Sequence, residues 1–227
     1  MAIEPCRTHR GRPAVLDWSD VNTDLIIPAR YLKRIERTGF GPLLFADKRY
    51  RAGMAPEADN PEAVGPAALD PSFPLNQEEA KGCDVLMVGK NFGCGSSREH
   101  AVWAVAQDGW KVLLAPGKDE GFADIFERNA LNNGLLAFEI DEDAWTRIVA
   151  AARRPGGARV EVEVDLEKKL VRLLEDSVVT CESPFDLADS DRHRLIHGLD
   201  AIGETLTFEK AITTYEASRP SWATPSV

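Results

Sequence analysis

Three rhythms of apolar and polar residues follow one another along this chain. The first is the continuous apolar run, at 83–89 ("CDVLMVG"), at 111–115 ("KVLLA") and, shorter, at 14–18 ("AVLDW"). Such runs, bounded by turn residues, read as strands, the first two buried on both faces. The second is helical. Ala101, Val102, Val105 and Ala106 share one face of a helix predicted over 97–108, and Gly109 stops it. Strand, loop, helix and strand in that order imply a parallel pair with a right-handed crossover. The unit recurs: "GFADIFERNALNNG" is an amphipathic helix carrying Phe122, Ile125 and Phe126, and "LLAFEI" is the strand after it. The third rhythm is strict alternation. Val160, Val162, Val164 and Leu166 predict a β-hairpin over 158–174 with one wet face.

The segments between are less regular. In "VNTDLIIPARYL", Asn22 and Asp24 favour a turn and Pro28 limits any helix before it, leaving one or two helical turns for 29–37. Residues 51–76 contain five prolines and two glycines. They predict a long irregular loop, which is uncommon in a compact domain and is expected to pack on a partner. Beyond 186 the chain reads as a helical extension to 218: a helix to about His197, a stop at Gly198, and a final helix near 208–217.

Composition bounds what this organisation can do. With 227 residues and 44% of them hydrophobic, the chain supports one large domain with a sizeable core. A net charge of -10 argues against general binding to nucleic acid or to an anionic membrane. Positive charge for an anionic ligand must then be concentrated locally. No apolar stretch reaches the roughly 18 residues that span a bilayer, and the first residues lack the apolar core of a secretory signal. The four cysteines, Cys6, Cys83, Cys94 and Cys181, form no C-x-x-C pair. The expectation is a cytoplasmic protein with free thiols and no metal centre of its own.

The densest chemistry lies at 91–101, "NFGCGSSREHA". Gly93 and Gly95 allow close backbone approach and positive φ, and the free N–H groups of the helix that follows face the same space. This is an anion site in outline. A phosphate fits it no better than a carboxylate, because neither the P-loop pattern nor the third glycine of G-x-G-x-x-G is present. Ser96 and Glu99 also have the spacing of a capping box. Arg98, in the first helical turn, opposes the helix dipole and so implies a bound anion or a partner carboxylate, the plain alternative being a solvated surface arginine. Cys94 with His100 would suggest a thiol nucleophile, but no acid or amide is placed to orient the histidine. The hydrolase elbow G-x-S-x-G is absent.

Four motifs in order carry a family resemblance: "NTDLIIPARYLKRI", "VGKNFGCGSSREHAVWAVAQDGWKVLLAP", "FADIFERNALNNGLL" and "LIHGLDAIGETLTFEKAITTYEASRPSW". Together they resemble the small subunits of bacterial 3-isopropylmalate dehydratases, of the aconitase family, from about residue 5 to 222. The resemblance implies an α/β fold, a swivelling β/β/α domain in three layers, with a mixed sheet built on parallel strand–helix–strand units. It implies a large partner subunit that carries a [4Fe-4S] cluster, and a small dicarboxylic acid substrate. It implies Ser96 as catalytic base, with Arg98 and Asp24 in the catalytic machinery, Asp24 by charge pairing. Ser97 and Gly95 would bind substrate carboxylate. Arg30, Tyr31, Leu32 and Lys33 occupy the loop associated with substrate choice in the family, where Arg30, Lys33 and Arg34 would offer positive charge and Tyr31 and Leu32 apolar surface for a branched alkyl group. Two departures stand out: Asn22 replaces the first aspartate of V-D-T-D, and "GKDEG" at 117–121 lengthens a loop expected near the site. Dehydratases for citramalate, dimethylmaleate or homoaconitate, and a non-catalytic assembly module of the same fold, are the alternatives.

Overall fold

The computed structural model of the chain describes residues 3–154 and 159–219. The apolar runs form strands, and their pairing separates two sheets. Strands β1 (Thr8–Gly11) and β2 (Pro13–Leu16) lead into the one-turn helices α1 (Thr23–Ile26) and α2 (Ala46–Arg49). Then come β3 (Val85–Val88), α3 (Glu99–Gln107), β4 (Val112–Pro116), α4 (Asp124–Asn132), β5 (Leu136–Ile140) and α5 (Glu142–Ala152). Strands β6 (Val160–Asp165), β7 (Leu170–Glu175) and β8 (Val178–Pro184) precede the C-terminal helices α6 (Asp189–His197), α7 (Ala201–Leu206) and α8 (Glu209–Ser218).

Strands β2-β3-β4-β5 make a fully parallel four-stranded sheet, whereas β1-β6-β7-β8 make a fully antiparallel one. Parallel and antiparallel pairing thus mix between the sheets rather than within one. The side-chain period of two divides the parallel strands between two cores. Leu86, Val88, Leu113 and Ala137 face α3 and the loops beyond it. Val85, Met87, Leu114 and Phe138 face Val162, Val164, Val171 and Leu173 of the second sheet, where Ile148 of α5 joins them. The three layers are therefore sheet, sheet and helices, as the family resemblance implies. The runs at 83–89 and 111–115 are apolar throughout because each strand is covered on both sides.

The alternating segment after residue 159 forms β6 and pairs antiparallel with β7, while the expected hairpin start at 158 and the last motif residues, 220–222, lie outside the described residues. Its wet face carries Arg172, which donates to Glu163 at 2.7 Å across the strand pair and to Glu182 at 2.6 Å on the other side. Strands β1 and β8 and helix α5 carry no expectation from the sequence. Residues 51–76 hold short 3₁₀ turns and fold onto their own chain: Phe73 is buried beside Trp18 and Phe45, and Tyr50 bridges to Leu69.

Candidate active site

Two short loops meet at the C-terminal ends of the parallel strands, where open α/β sheets form their crevices. The loop after β2 carries Asn22, Thr23 and Asp24, and the loop after β3 carries residues 91–98. They join as a small parallel bridge, in which Thr23 N–H donates to the Cys94 carbonyl at 2.9 Å and Gly93 N–H to the Val21 carbonyl at 2.7 Å. The buried Thr23 hydroxyl donates to the Ser96 carbonyl at 2.8 Å. The serine loop is therefore clamped from the side, and its Ser96 and Ser97 hydroxyls stay exposed, with no hydrogen-bond partner among the described residues. No sequence expectation attaches to Thr23. Its signal was position: it stands beside Asp24 in the one-turn helix α1.

Asn22 is the N-cap of α1, and its Oδ1 accepts from Leu25 N–H at 2.8 Å. Asparagine and aspartate cap equally well, so the departure at position 22 leaves the turn intact. Gly93, at φ 80°, lies against Phe126 of α4 so closely that an added Cβ would stand 2.2 Å from the ring. Gly95 also has a positive φ, 91°. Thr23, Gly93, Gly95, Ser96, Ser97, Arg98 and the start of α4 line a cavity of about 230 Å³.

Arg98 corrects two expectations. It is the N-cap of α3, in extended backbone, so the helix begins at Glu99 and Ser96 is not its cap. Glu99 instead accepts from the Asn133 side-chain amide at 3.0 Å, and no capping box forms. The carboxylate that balances Arg98 is internal: Asp24 accepts a hydrogen bond and ion pair from its Nη1. The guanidinium is mostly buried while Asp24 is over half exposed. Arginine has five donors in a planar fork, so pairing through one nitrogen leaves others for a second anion. The N–H groups of 96–98 donate to no group among the described residues, and those of Glu99 and His100 are free by helix geometry.

Residues 30–33 do not join this cavity. Tyr31 is 1% exposed and donates its hydroxyl to the Pro56 carbonyl at 2.8 Å. Leu32 is half-buried against the same core. Neither presents the open alkyl-binding surface expected of it. Arg30 pairs with Asp47 at 2.5 Å and stacks over Tyr31, while Lys33 is exposed. Ile125 also departs from expectation: it is 53% exposed and lines the serine cavity instead of the buried face of α4. The ring of His100 packs against both Phe40 and Trp103, which also touch each other, and burial, the largest cause, lowers its pKa. It is a neutral aromatic contact here. Among the described residues no group of three or more His, Cys, Asp or Glu could hold a metal ion.

The additional residues 117–121 do not cover the cavity either. Glu139 accepts from Asp119, Gly121 and Phe122 N–H groups at 2.5–3.0 Å, and the Glu120 and Gly121 carbonyls accept from Asn91 and Phe92. The insertion thus buttresses the root of the serine loop. It also places Asp119 beside Glu127 of α4. Burial first, then the charges of Glu139, Asp124 and Asp119, push the Glu127 carboxyl up from 4.5 to about 7. The folded state then holds more protons than the unfolded one between those values. The contribution is fully present below pH 4.5 and is lost as pH rises through 7. Glu127→Gln should flatten that slope and raise stability at pH 8 by about 1 kcal/mol after solvent screening, read from urea midpoints across pH.

Comparison with known proteins agrees with this architecture. Residues 4–143 match the aconitase C-terminal domain. The 3-isopropylmalate dehydratase small subunit of Bacillus pumilus is 41% identical, over 97% of this chain and 98% of that protein. That of Shewanella denitrificans is 42% identical, over 94% and 96%. The chain belongs to the 3-isopropylmalate dehydratase small-subunit family. The crystal structure of the 3-isopropylmalate dehydratase from Methanocaldococcus jannaschii superposes with a TM-score of 0.56 at 26% identity, covering 92% of this chain and 99% of that one. In this family member the hydroxyl loop and the arginine line one open crevice, and Asp24 pairs with that arginine.

Proposed function

We propose that this chain is the small subunit of a heteromeric hydro-lyase that interconverts 2-isopropylmalate and 3-isopropylmalate by way of 2-isopropylmaleate. The carrying observation is the exposed Ser96 hydroxyl, without a hydrogen-bond partner among the described residues, beside an arginine paired with Asp24. Among the described residues no group could hold a [4Fe-4S] cluster, and in this reading the large subunit carries it.

Dehydration needs a proton removed from the carbon next to a carboxylate. The negative charge that develops spreads onto that carboxylate. A serine hydroxyl is a poor base unless its alkoxide is stabilised. The free N–H groups of 96–100 and the guanidinium of Arg98 supply fixed positive charge where the alkoxide and the substrate carboxylate would lie. Ser97 and Gly95 border the same space. Lys33 acts from outside the cavity, as positive charge that attracts a dianionic substrate, whereas Asp47 already balances Arg30.

Reconstitution tests the reading. The chain, combined with its cognate large subunit and followed by alkene absorbance, should turn over isopropylmalate faster than citramalate, dimethylmalate or homoaconitate. A complex active only on another of these acids, or inactive on all, would sink it. Asp24→Ala leaves Arg98 without its positioning partner. It should lower kcat/KM by on the order of 10², as misplacements of about 1 Å do. Unchanged kinetics would remove Asp24 from the machinery.

A further inference from the structure

Helices α7 and α8 bury none of their residues. Yet they carry Ile202, Leu206, Phe208, Ile212 and Tyr215, which make up half of the exposed large apolar side chains among the described residues. These are not scattered. Ile202 and Leu206 are four apart on α7. Phe208, Ile212 and Tyr215 fall at i, i+4 and i+7 at the start and along one side of α8. Phe208 is 62% exposed and Tyr215 66%. Helices this short are marginal in water on propensity alone, so a clustered apolar stripe of this kind marks a surface that something covers.

Charge indicates what covers it. Between residues 200 and 218 the acids Asp200, Glu204, Glu209 and Glu216 face one base, Lys210. A second copy seated on the stripe would bring the same acidic rim against itself, and like charges across an interface are unfavourable. Position gives the second argument. A cavity of about 730 Å³ runs between α4, α6 and α7, lined by Glu127, Arg128, Ala201 and Glu204 among others. Asp124 lines both this groove and the serine cavity. The base of the arm, at Ala201 and Glu204, thus shares a groove along α4 with the crevice that must face the large subunit.

We propose that α7 and α8 form a docking arm whose apolar stripe seats in a basic-rimmed apolar groove of the large subunit, beside the mouth of the serine cavity. This rests on the small-subunit assignment made above. The arm contributes no side chain to the reaction. It holds the two chains in register so that residues 96–98 meet the substrate.

The test is a binding measurement on the full chain and its cognate large subunit, by sedimentation velocity or calorimetry, which needs no turnover. Phe208→Asp/Ile212→Asp should weaken assembly by on the order of tenfold or more, the size of loss seen when interface anchors are removed. The variant alone should keep the far-UV circular dichroism and thermal midpoint of the parent, because neither side chain is buried. Thr214→Asp, on the opposite side of α8, should bind as the parent does. Parent-like affinity in the double variant, or an equal loss in Thr214→Asp, would overturn the proposal. So would a dimer of this chain that the double variant dissolves while its affinity for the large subunit is unaltered. Arm-dependent assembly without dehydratase activity would support the arm and sink the functional reading, so the two fail separately.

Discussion

Ser96→Ala should remove turnover by about 10³-fold or more while the two subunits still assemble. A positioned base contributes on the order of 10²–10⁴, and here the hydroxyl has no substitute nearby. The nearest candidate is Ser97, which is tied to a different main-chain position. His100 packs against the rings of Phe40 and Trp103. The loss should fall on kcat, because the surrounding N–H groups and Arg98 remain to bind substrate. Stability should change by no more than about 0.5 kcal/mol, since the hydroxyl is exposed and unpartnered. Steady-state kinetics beside a thermal melt separates the two effects. A kcat near that of the parent would show that another group takes the proton. Ser97→Ala should act mainly on KM.

Gly93→Val should unfold the loop from the other direction. Its φ of 80° is left-handed, and the first side-chain carbon would stand 2.2 Å from Cγ and 2.5 Å from Cβ of Phe126. Backbone strain of about 1–3 kcal/mol adds to overpacking of about 1–3 kcal/mol, so a loss on the order of 4 kcal/mol is expected. The damage cannot stay local. Gly93 N–H is bonded to Val21, and Phe126 packs at 5.3 Å on Phe92. Moving either would open the clamp between the 22–24 and 91–98 loops. Chemical denaturation measures the loss.

The two effects differ because Ser96 points out of the protein and Gly93 points into it. Much of that contrast is legible in the residues. The apolar runs and the glycine-rich turn announced strand, loop and helix in order, because a strand buried on both faces must be apolar throughout. The stop at Gly198, with φ 66°, was equally plain. Strand β8 was not. It follows a turn in which Asp176 and Ser177, without glycine, both take positive φ, so the usual hairpin signal is missing. Helix α5 has an apolar stripe at Ala144, Ile148 and Ala151, but its strong register appears only once Val162 and Val164 lie opposite.

The site divides in the same way. The chain alone determined which groups are available: two hydroxyls, an arginine and a run of helix N–H groups next to glycine. It also determined the T-D pair after the first parallel strand. Only the tertiary structure decided that Asp24 is the anion Arg98 requires, that Thr23 ties down the serine loop, and that Tyr31 is a core residue while Ile125 is not. The reason is that contacts between residues some 74 positions apart depend on the order of strands in a sheet. That order is set by how all the apolar faces are covered at once, and no local pattern carries it.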